Sequence, residues 1–225
     1  MKRSTFFDAI AFDMDGTLID SAPLFKFAAV EAASVLGYRI SEEIFFRWLS
    51  LPPKNIEAAV VSDLGKDFPF DAYRNEMIRI WEHKTENEGI PPKPGIPLLI
   101  EKLHANHVPL VVATATRRQQ AIRSLELSGL SNLTKNLVGG DEVNNSKPEP
   151  DIFLRAASIL GVPARRCIAV EDSAVGIRAA SDADMLTILV PDLSMPDPKT
   201  VETADYVLSS TEKASRVLLR FFGIE

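Results

Sequence analysis

The sequence is poor in cysteine: Cys167 is the single one, so no disulfide can form within the chain, and a small cross-linked secreted scaffold is excluded. It lacks any apolar run approaching the ~20 residues that cross a bilayer. Behind the opening Met1-Lys2-Arg3, the residues Asp8, Asp13 and Asp15 break up the apolar stretch, so it does not read as a signal peptide, and the expected location is the cytoplasm. Positive charge is also short, with 25 Lys and Arg against 31 Asp and Glu and a net charge of −6. Such a surface gives phosphate backbones no electrostatic footprint, so neither nucleic acid nor membrane is an expected partner. Internal repeats and low-complexity tracts are missing too. What is present is 225 residues, 46% hydrophobic and 25% charged, the profile of an ordinary globular protein able to bury a core in one large domain or two smaller ones.

Short apolar runs that end in polar or glycine residues read as buried strands. They are Phe6 to Asp13, Pro109 to Thr114, Arg166 to Glu171, Leu186 to Val190 and Asp205 to Leu208. Helical periods lie between them: Ile96 to Asn106, Arg117 to Ser128 with Gly129 as its stop, Pro150 to Leu160 ahead of Gly161, and a run that Ser173 would cap, reaching about Asp182. Strands alternating with helices imply βαβ units and a parallel sheet, with chemistry at the carboxyl ends of the strands. Residues 22 to about 88 break this alternation and carry helical signals only. Ile44, Phe45, Trp48 and Leu49 form one apolar stripe, and Tyr73, Met77, Ile80 and Trp81 another, both read as packing faces. A proline-rich linker, Gly89 to Gly95, closes the segment. The expected fold is an α/β core of residues 1–20 and 91–225 with a helical insertion, residues 21–90, after the first strand.

Four signals carry chemistry. In Asp13-Met14-Asp15-Gly16-Thr17, two carboxylates two residues apart leave the end of a strand, and Gly16 permits the turn that lets both face one pocket. An Asp-x-Asp-Gly-Thr match arises by chance about once in 10⁵ positions at typical residue usage. The run ending at Thr114-Ala115-Thr116 offers a hydroxyl and backbone amides at a helix start, a cradle for an anion, although a threonine there is commonly just a cap. Lys147 sits in Ser146-Lys-Pro-Glu-Pro150, where the two prolines hold it in a stiff, non-helical segment suited to a fixed positive charge. Glu171 and Asp172 end another strand, and paired carboxylates there are costly unless they cap a helix or bind a cation; Mg²⁺ fits few, hard oxygen ligands.

In this order, each at a strand end or the loop beyond it, the four motifs resemble the haloacid dehalogenase superfamily, and within it the branch with a helical cap after the first strand, the sugar-phosphate phosphatases and β-phosphoglucomutase-like proteins. The resemblance covers essentially the whole chain. It implies a Rossmann-like, doubly wound parallel sheet with a helical cap domain. It further implies Asp13 as the nucleophile that forms an aspartyl-phosphate, Asp15 as general acid and base, Thr114 and the Ala115 amide as phosphoryl ligands, and Lys147 as the neutralising cation. Mg²⁺ would be held by Asp13, the Asp15 carbonyl, Asp172 and Glu171, the last directly or through water.

The chain departs from the mutase pattern. Phe25 stands where mutases carry a cap-side histidine, and Ser50-Leu-Pro-Pro-Lys54 stands in the cap's specificity loop, where Lys54 could reach a sugar hydroxyl or a second anion or simply be solvated. Asp184 replaces a glycine usual in the family, and the tail from Val190 to Ser209 resembles hexose-6-phosphate phosphatases. The expectation is a Mg²⁺-dependent phosphatase acting on a small phosphorylated metabolite, a sugar phosphate, as a monomer or weak dimer. A phosphosugar mutase and a non-catalytic phosphometabolite-binding protein are the alternatives. A true dehalogenase is disfavoured by Gly16-Thr17 and the Glu171-Asp172 pair.

Overall fold

Six short parallel strands form one sheet: β1 (Ala9–Phe12), β2 (Leu110–Ala113), β3 (Leu137–Val138), β4 (Cys167–Glu171), β5 (Leu186–Leu189) and β6 (Tyr206–Val207), in the order β3-β2-β1-β4-β5-β6. The computed structural model describes residues 7–49, 51, 53–193 and 196–224, apart from the side chains of residues 49, 53 and 54. The helices are α1 (Ala22–Val35), α2 (Glu42–Leu49), α3 (Pro53–Leu64), α4 (Phe70–Glu88), α5 (Ile96–Ala105), α6 (Arg118–Leu127), α7 (Asp151–Leu160), α8 (Ala174–Asp182), α9 (Pro198–Thr203) and α10 (Thr211–Phe221). The chain divides into two compact units, Met1–Asp20 with Ile90–Glu225, and Ser21–Gly89.

The first unit is the α/β fold expected from the alternating pattern. Strands β1, β2 and β4 are buried on both faces, which is why they read as unbroken apolar runs. On one face Ala9, Ala11, Val111, Ala113, Val138, Cys167 and Ala169 pack against Ile152, Phe153, Ala156 and Ala157 of α7 and Ala179, Ala180 and Ala183 at α8. Alanine on both sides lets the helix backbones lie close to the sheet, while fully buried Phe153 fills the remaining space. Side chains alternate along each strand, so Ile10, Phe12, Val112, Ile168 and Val170 are buried on the opposite face.

The register fixes the site. Phe12 lies opposite both Val112 of β2 and Val170 of β4. The residues one step on, Asp13 and Glu171, therefore leave the sheet side by side, with Thr114 at the adjacent strand end. Strand β3 was not anticipated: two residues between Asn136 and Gly139 are too few to show a period, and only pairing with Val112 and Ala113 makes them a strand. Helices α9 and α10 were also absent from the sequence reading. At Asp184 the usual glycine is not needed, because the aspartate itself takes φ 63°, a left-handed geometry that short polar side chains tolerate.

The proline-rich segment is pinned along the exit of the Asp13 loop. The Asp20 amide donates to Pro91 O at 2.8 Å and the Lys93 amide to Leu18 O at 2.9 Å. The Lys93 ammonium donates to Asp20 at 3.0 Å and to Asp192 at 2.5 Å.

In the second unit α1 packs on α4 around Ala29, Ala32, Ala33, Phe45, Trp48, Val60, Phe68 and Tyr73. The two apolar stripes are thus packing faces, as read; Leu49 falls outside the described side chains. Phe25 lies against the rings of Phe45 and Trp81, with centroids 6.0 and 6.3 Å away.

Cys167 gives a test of the core. Burial pushes its thiol up to about 11, with Asp8 adding to the shift. An unfolded thiol ionises near 8.5. Between those values unfolding releases a proton, so stability falls as pH rises through that window. The expected result is a urea midpoint that drops from pH 8 to pH 10 more steeply in the wild type than in Cys167→Ala. At pH 8 a thiol reagent should label the native chain negligibly and the guanidinium-unfolded chain at one equivalent.

Candidate active site

Asp13 emerges from β1 with its amide still donating to Val170 O at 2.9 Å, so its backbone is an extension of the sheet. The chain then turns sharply: the Met14 carbonyl accepts from the amides of Thr17, Leu18 and Ile19. Gly16 makes this possible with φ 83°, and a β-carbon there would lie 2.3 Å from an Asp172 carboxylate oxygen. Inside the turn the Thr17 hydroxyl oxygen is fully buried and has no hydrogen-bond partner among the described residues. An unpaired buried hydroxyl costs about 1–3 kcal/mol. Thr17→Val is therefore expected to raise the unfolding free energy by about 1 kcal/mol, read as a higher urea midpoint at unchanged slope.

Lys147 reaches the end of β1 from the segment before α7. Its ammonium donates to Asp13 Oδ1 and Glu171 Oε1, both at 2.5 Å, and to the Ala113 carbonyl at 3.0 Å, and it lies 5.1 Å from the centre of the Phe153 ring. All three charged side chains are buried, the lysine 5% exposed and Glu171 not at all. Burial works against the lysine's charge, but Asp13 and Glu171 outweigh it and hold the ammonium charged well beyond its ordinary range.

Carboxylate oxygens of Asp13, Glu171 and Asp172 come within 4.8 Å of one another. Burial, then Glu171, raises Asp13 well above the usual carboxylate range, against the pull of Lys147. Asp172 is raised in the same direction by burial, Glu171, Asp13 and Asp192. Three carboxylates face one ammonium, and a divalent cation would bring the set to neutrality, so the donors fit such an ion. Glu171 is the most fully engaged of the three. Its Oε2 accepts from the amides of Asp172 and Ser173 at 3.1 and 3.2 Å and from the Ser173 hydroxyl at 2.9 Å, while Oε1 takes Lys147. That same Ser173 hydroxyl caps α8 by accepting from the Gly176 amide.

Thr114 is buried at the end of β2, its amide donating to Val138 O at 3.0 Å and its hydroxyl accepting from the Thr116 amide at 3.1 Å. Ala115 follows on the exposed turn before α6. Asp15 is met by the Thr116 hydroxyl. Asp13, Lys147 and Glu171 thus form one buried cluster with half-buried Asp172 at its edge. Lys54 lies on α3 and its side chain, like residues 50 and 52 of the same loop, is outside the described residues. Sequence reasoning gave no role to Ser173 beyond a cap, to Thr116, or to Asp192, whose carboxylate oxygen lies 3.2 Å from where a Gly16 β-carbon would stand.

Residues 10–190 match the haloacid dehalogenase-like hydrolase family. A phosphorylated carbohydrates phosphatase of Thermotoga maritima is 28% identical over 94% of this chain and 98% of its own length. A Drosophila melanogaster protein named probable pseudouridine-5'-phosphatase is 32% identical over 88% of this chain and 87% of its own. One longer curated relative, from Arabidopsis thaliana, is 32% identical but is spanned over only 18% of its length. Among solved structures, CbbY of Rhodobacter sphaeroides in complex with xylulose-1,5-bisphosphate superposes with a TM-score of 0.78 at 26% identity, covering 92% of this chain and 96% of that one. The chain belongs to the haloacid dehalogenase-like hydrolases, among relatives that hydrolyse phosphoric monoesters.

Proposed function

We propose that this phosphoric monoester hydrolase releases phosphate from a small phosphorylated sugar, with Mg²⁺ as its cation and Asp13 as its nucleophile. The observation that carries the reading is the buried cluster at the ends of β1 and β4, where one ammonium faces three carboxylates. Relatives that act on phosphorylated carbohydrates support the substrate class. Residues 21–89 supply the helical cap domain, and the remainder the catalytic core.

Asp13 attacks phosphorus while Asp15 gives a proton to the departing alcohol, leaving an aspartyl-phosphate. Asp15 then takes a proton from water, which attacks the same phosphorus, releases inorganic phosphate and restores the Asp13 carboxylate. Lys147, locked between Asp13 and Glu171, keeps one positive charge beside the nucleophile throughout. The Thr114 hydroxyl accepts from a backbone amide and keeps its own proton to donate to a phosphoryl oxygen, beside the Ala115 amide. Mg²⁺ would be held by Asp13, Asp172 and the Asp15 carbonyl, with Glu171 fixing Lys147 and the adjoining backbone; it supplies charge neutralisation for the phosphoryl oxygens.

Hydrolysis is favoured over phosphosugar mutation by Phe25, which is packed among Phe45 and Trp81 and offers no proton where mutases carry a histidine. A purely binding role would have no use for the complete acidic set with its lysine. The test is phosphate release from a panel of sugar phosphates with Mg²⁺ and with EDTA. Turnover with Mg²⁺ that is lost in EDTA and restored by added Mg²⁺ is the expected result. Isomerised sugar phosphate without net release would install the mutase instead, and binding without turnover the non-catalytic protein.

A further inference from the structure

We infer that Thr116 is a positioning residue for Asp15, holding the proton-transferring carboxyl toward the leaving group. This rests on the phosphatase reading above. The Thr116 hydroxyl donates to Asp15 Oδ2 at 2.8 Å, joining two loops 101 residues apart in sequence. A single hydroxyl contact on a mobile loop would position little; here the loop is fastened on both sides. The Thr116 amide donates to the Thr114 hydroxyl at 3.1 Å, and the Thr116 carbonyl accepts from the Gly140 amide at 3.0 Å. Two residues on, the Arg118 amide donates to Asp141 Oδ1 at 2.7 Å, and the Arg118 guanidinium binds the Leu137 carbonyl and the Glu142 carboxylate.

These contacts tie the turn between β2 and α6 to the segment that follows β3. The position of the hydroxyl is thereby set by the sheet, through β2 and β3, and not by the Asp13 loop it contacts. Asp15 itself lies on that tight loop beside Gly16, where rotation of its side chain would swing the carboxyl away from the substrate oxygen. The hydrogen bond to Oδ2 opposes that rotation. An aligned proton donor contributes about 10²–10⁴ in rate, and only where the departing group needs the proton. The two-residue strand β3 thus gains a purpose: it anchors the segment that holds Thr116.

The experiment compares the full chain with Thr116→Val, which keeps the shape and removes the hydroxyl, and Thr116→Ser, which keeps the hydroxyl. Each is assayed with Mg²⁺ on the best sugar phosphate of the panel and on p-nitrophenyl phosphate, whose phenolate departs without a proton. The expected result for Thr116→Val is a kcat about 10–100-fold lower on the sugar phosphate with little change in KM. Its pre-steady-state burst of p-nitrophenolate, which reports attack by Asp13 before Asp15 activates water, should stay within about threefold, which also certifies that the site is folded, and Thr116→Ser should restore the sugar phosphate rate. An equal loss in the sugar phosphate rate and in the p-nitrophenolate burst, a change confined to KM, or no change at all would overturn the assignment. A wild type inactive on both substrates would instead overturn the phosphatase reading, and the role of Thr116 with it.

Discussion

On the proposed mechanism, Asp13→Asn is expected to abolish phosphate release, with a fall of about 10⁴-fold or more, because an amide oxygen cannot form the acyl-phosphate that splits the reaction into two steps. The fold survives. Lys147 keeps Glu171 and the Ala113 carbonyl as partners when the Asp13 charge is removed. Asp13 is moreover held well above the usual carboxylate range by burial and by Glu171, so in the metal-free protein its charge is a cost that the amide does not carry. Circular dichroism melting should therefore show a midpoint for Asp13→Asn in EDTA no lower than that of the wild type. Added Mg²⁺ should raise the wild-type midpoint and raise that of the variant much less, since a ligand stabilises in proportion to its affinity for the native state. Phosphate release by the variant at more than about one hundredth of the wild-type rate would remove Asp13 from the nucleophile's role.

The second large effect comes from a residue that touches no substrate. Gly176 lies in the first turn of α8, and a β-carbon there would stand 1.9 Å from the carboxyl carbon of Glu171. Alanine in a helix is ordinarily a gain of about 1 kcal/mol over glycine. Here Glu171 would have to move, yet its two oxygens are held by Lys147, Ser173 and two backbone amides. Displacing a buried carboxylate from its cation costs about 3–5 kcal/mol, well above the helix term. Gly176→Ala is thus expected to lower stability by about 3 kcal/mol and, by loosening Lys147, to cut kcat by about 100-fold. A variant of unchanged stability would mean that Glu171 is not locked as the hydrogen bonds indicate.

The legible parts of this chain were those with a period or a rare spacing. Strands β1, β2, β4 and β5 showed as apolar runs because both of their faces are covered, and the Asp13, Thr114, Lys147 and Glu171 positions each stand at or just beyond the end of an element the pattern had located. Their convergence is a matter of register, Phe12 opposite Val112 and Val170, and register is written in no local pattern. The same holds for what was missed. Strand β3 is two residues long, and Thr116, Lys93 and Asp192 act through partners 73 to 101 residues away in sequence, visible only once loops are placed. Gly176 looked like an ordinary small residue in a helix, and its need is set by a carboxylate five positions earlier that folds back under the helix start.

Strand β1 is the first element among the described residues and sits at the middle of the sheet, paired with β2 at residue 110 and with β4 at residue 168. During synthesis its apolar residues must wait for most of the protein to be made before both edges are covered. Loop closures of that length come before their contacts reward them, so the chain should fold slowly for its size and pass through states with open strand edges. On the proposed reading the acidic cluster is complete only once β4 brings Glu171 beside Asp13 and Lys147, so a fragment ending before residue 171 is expected to lack a working site.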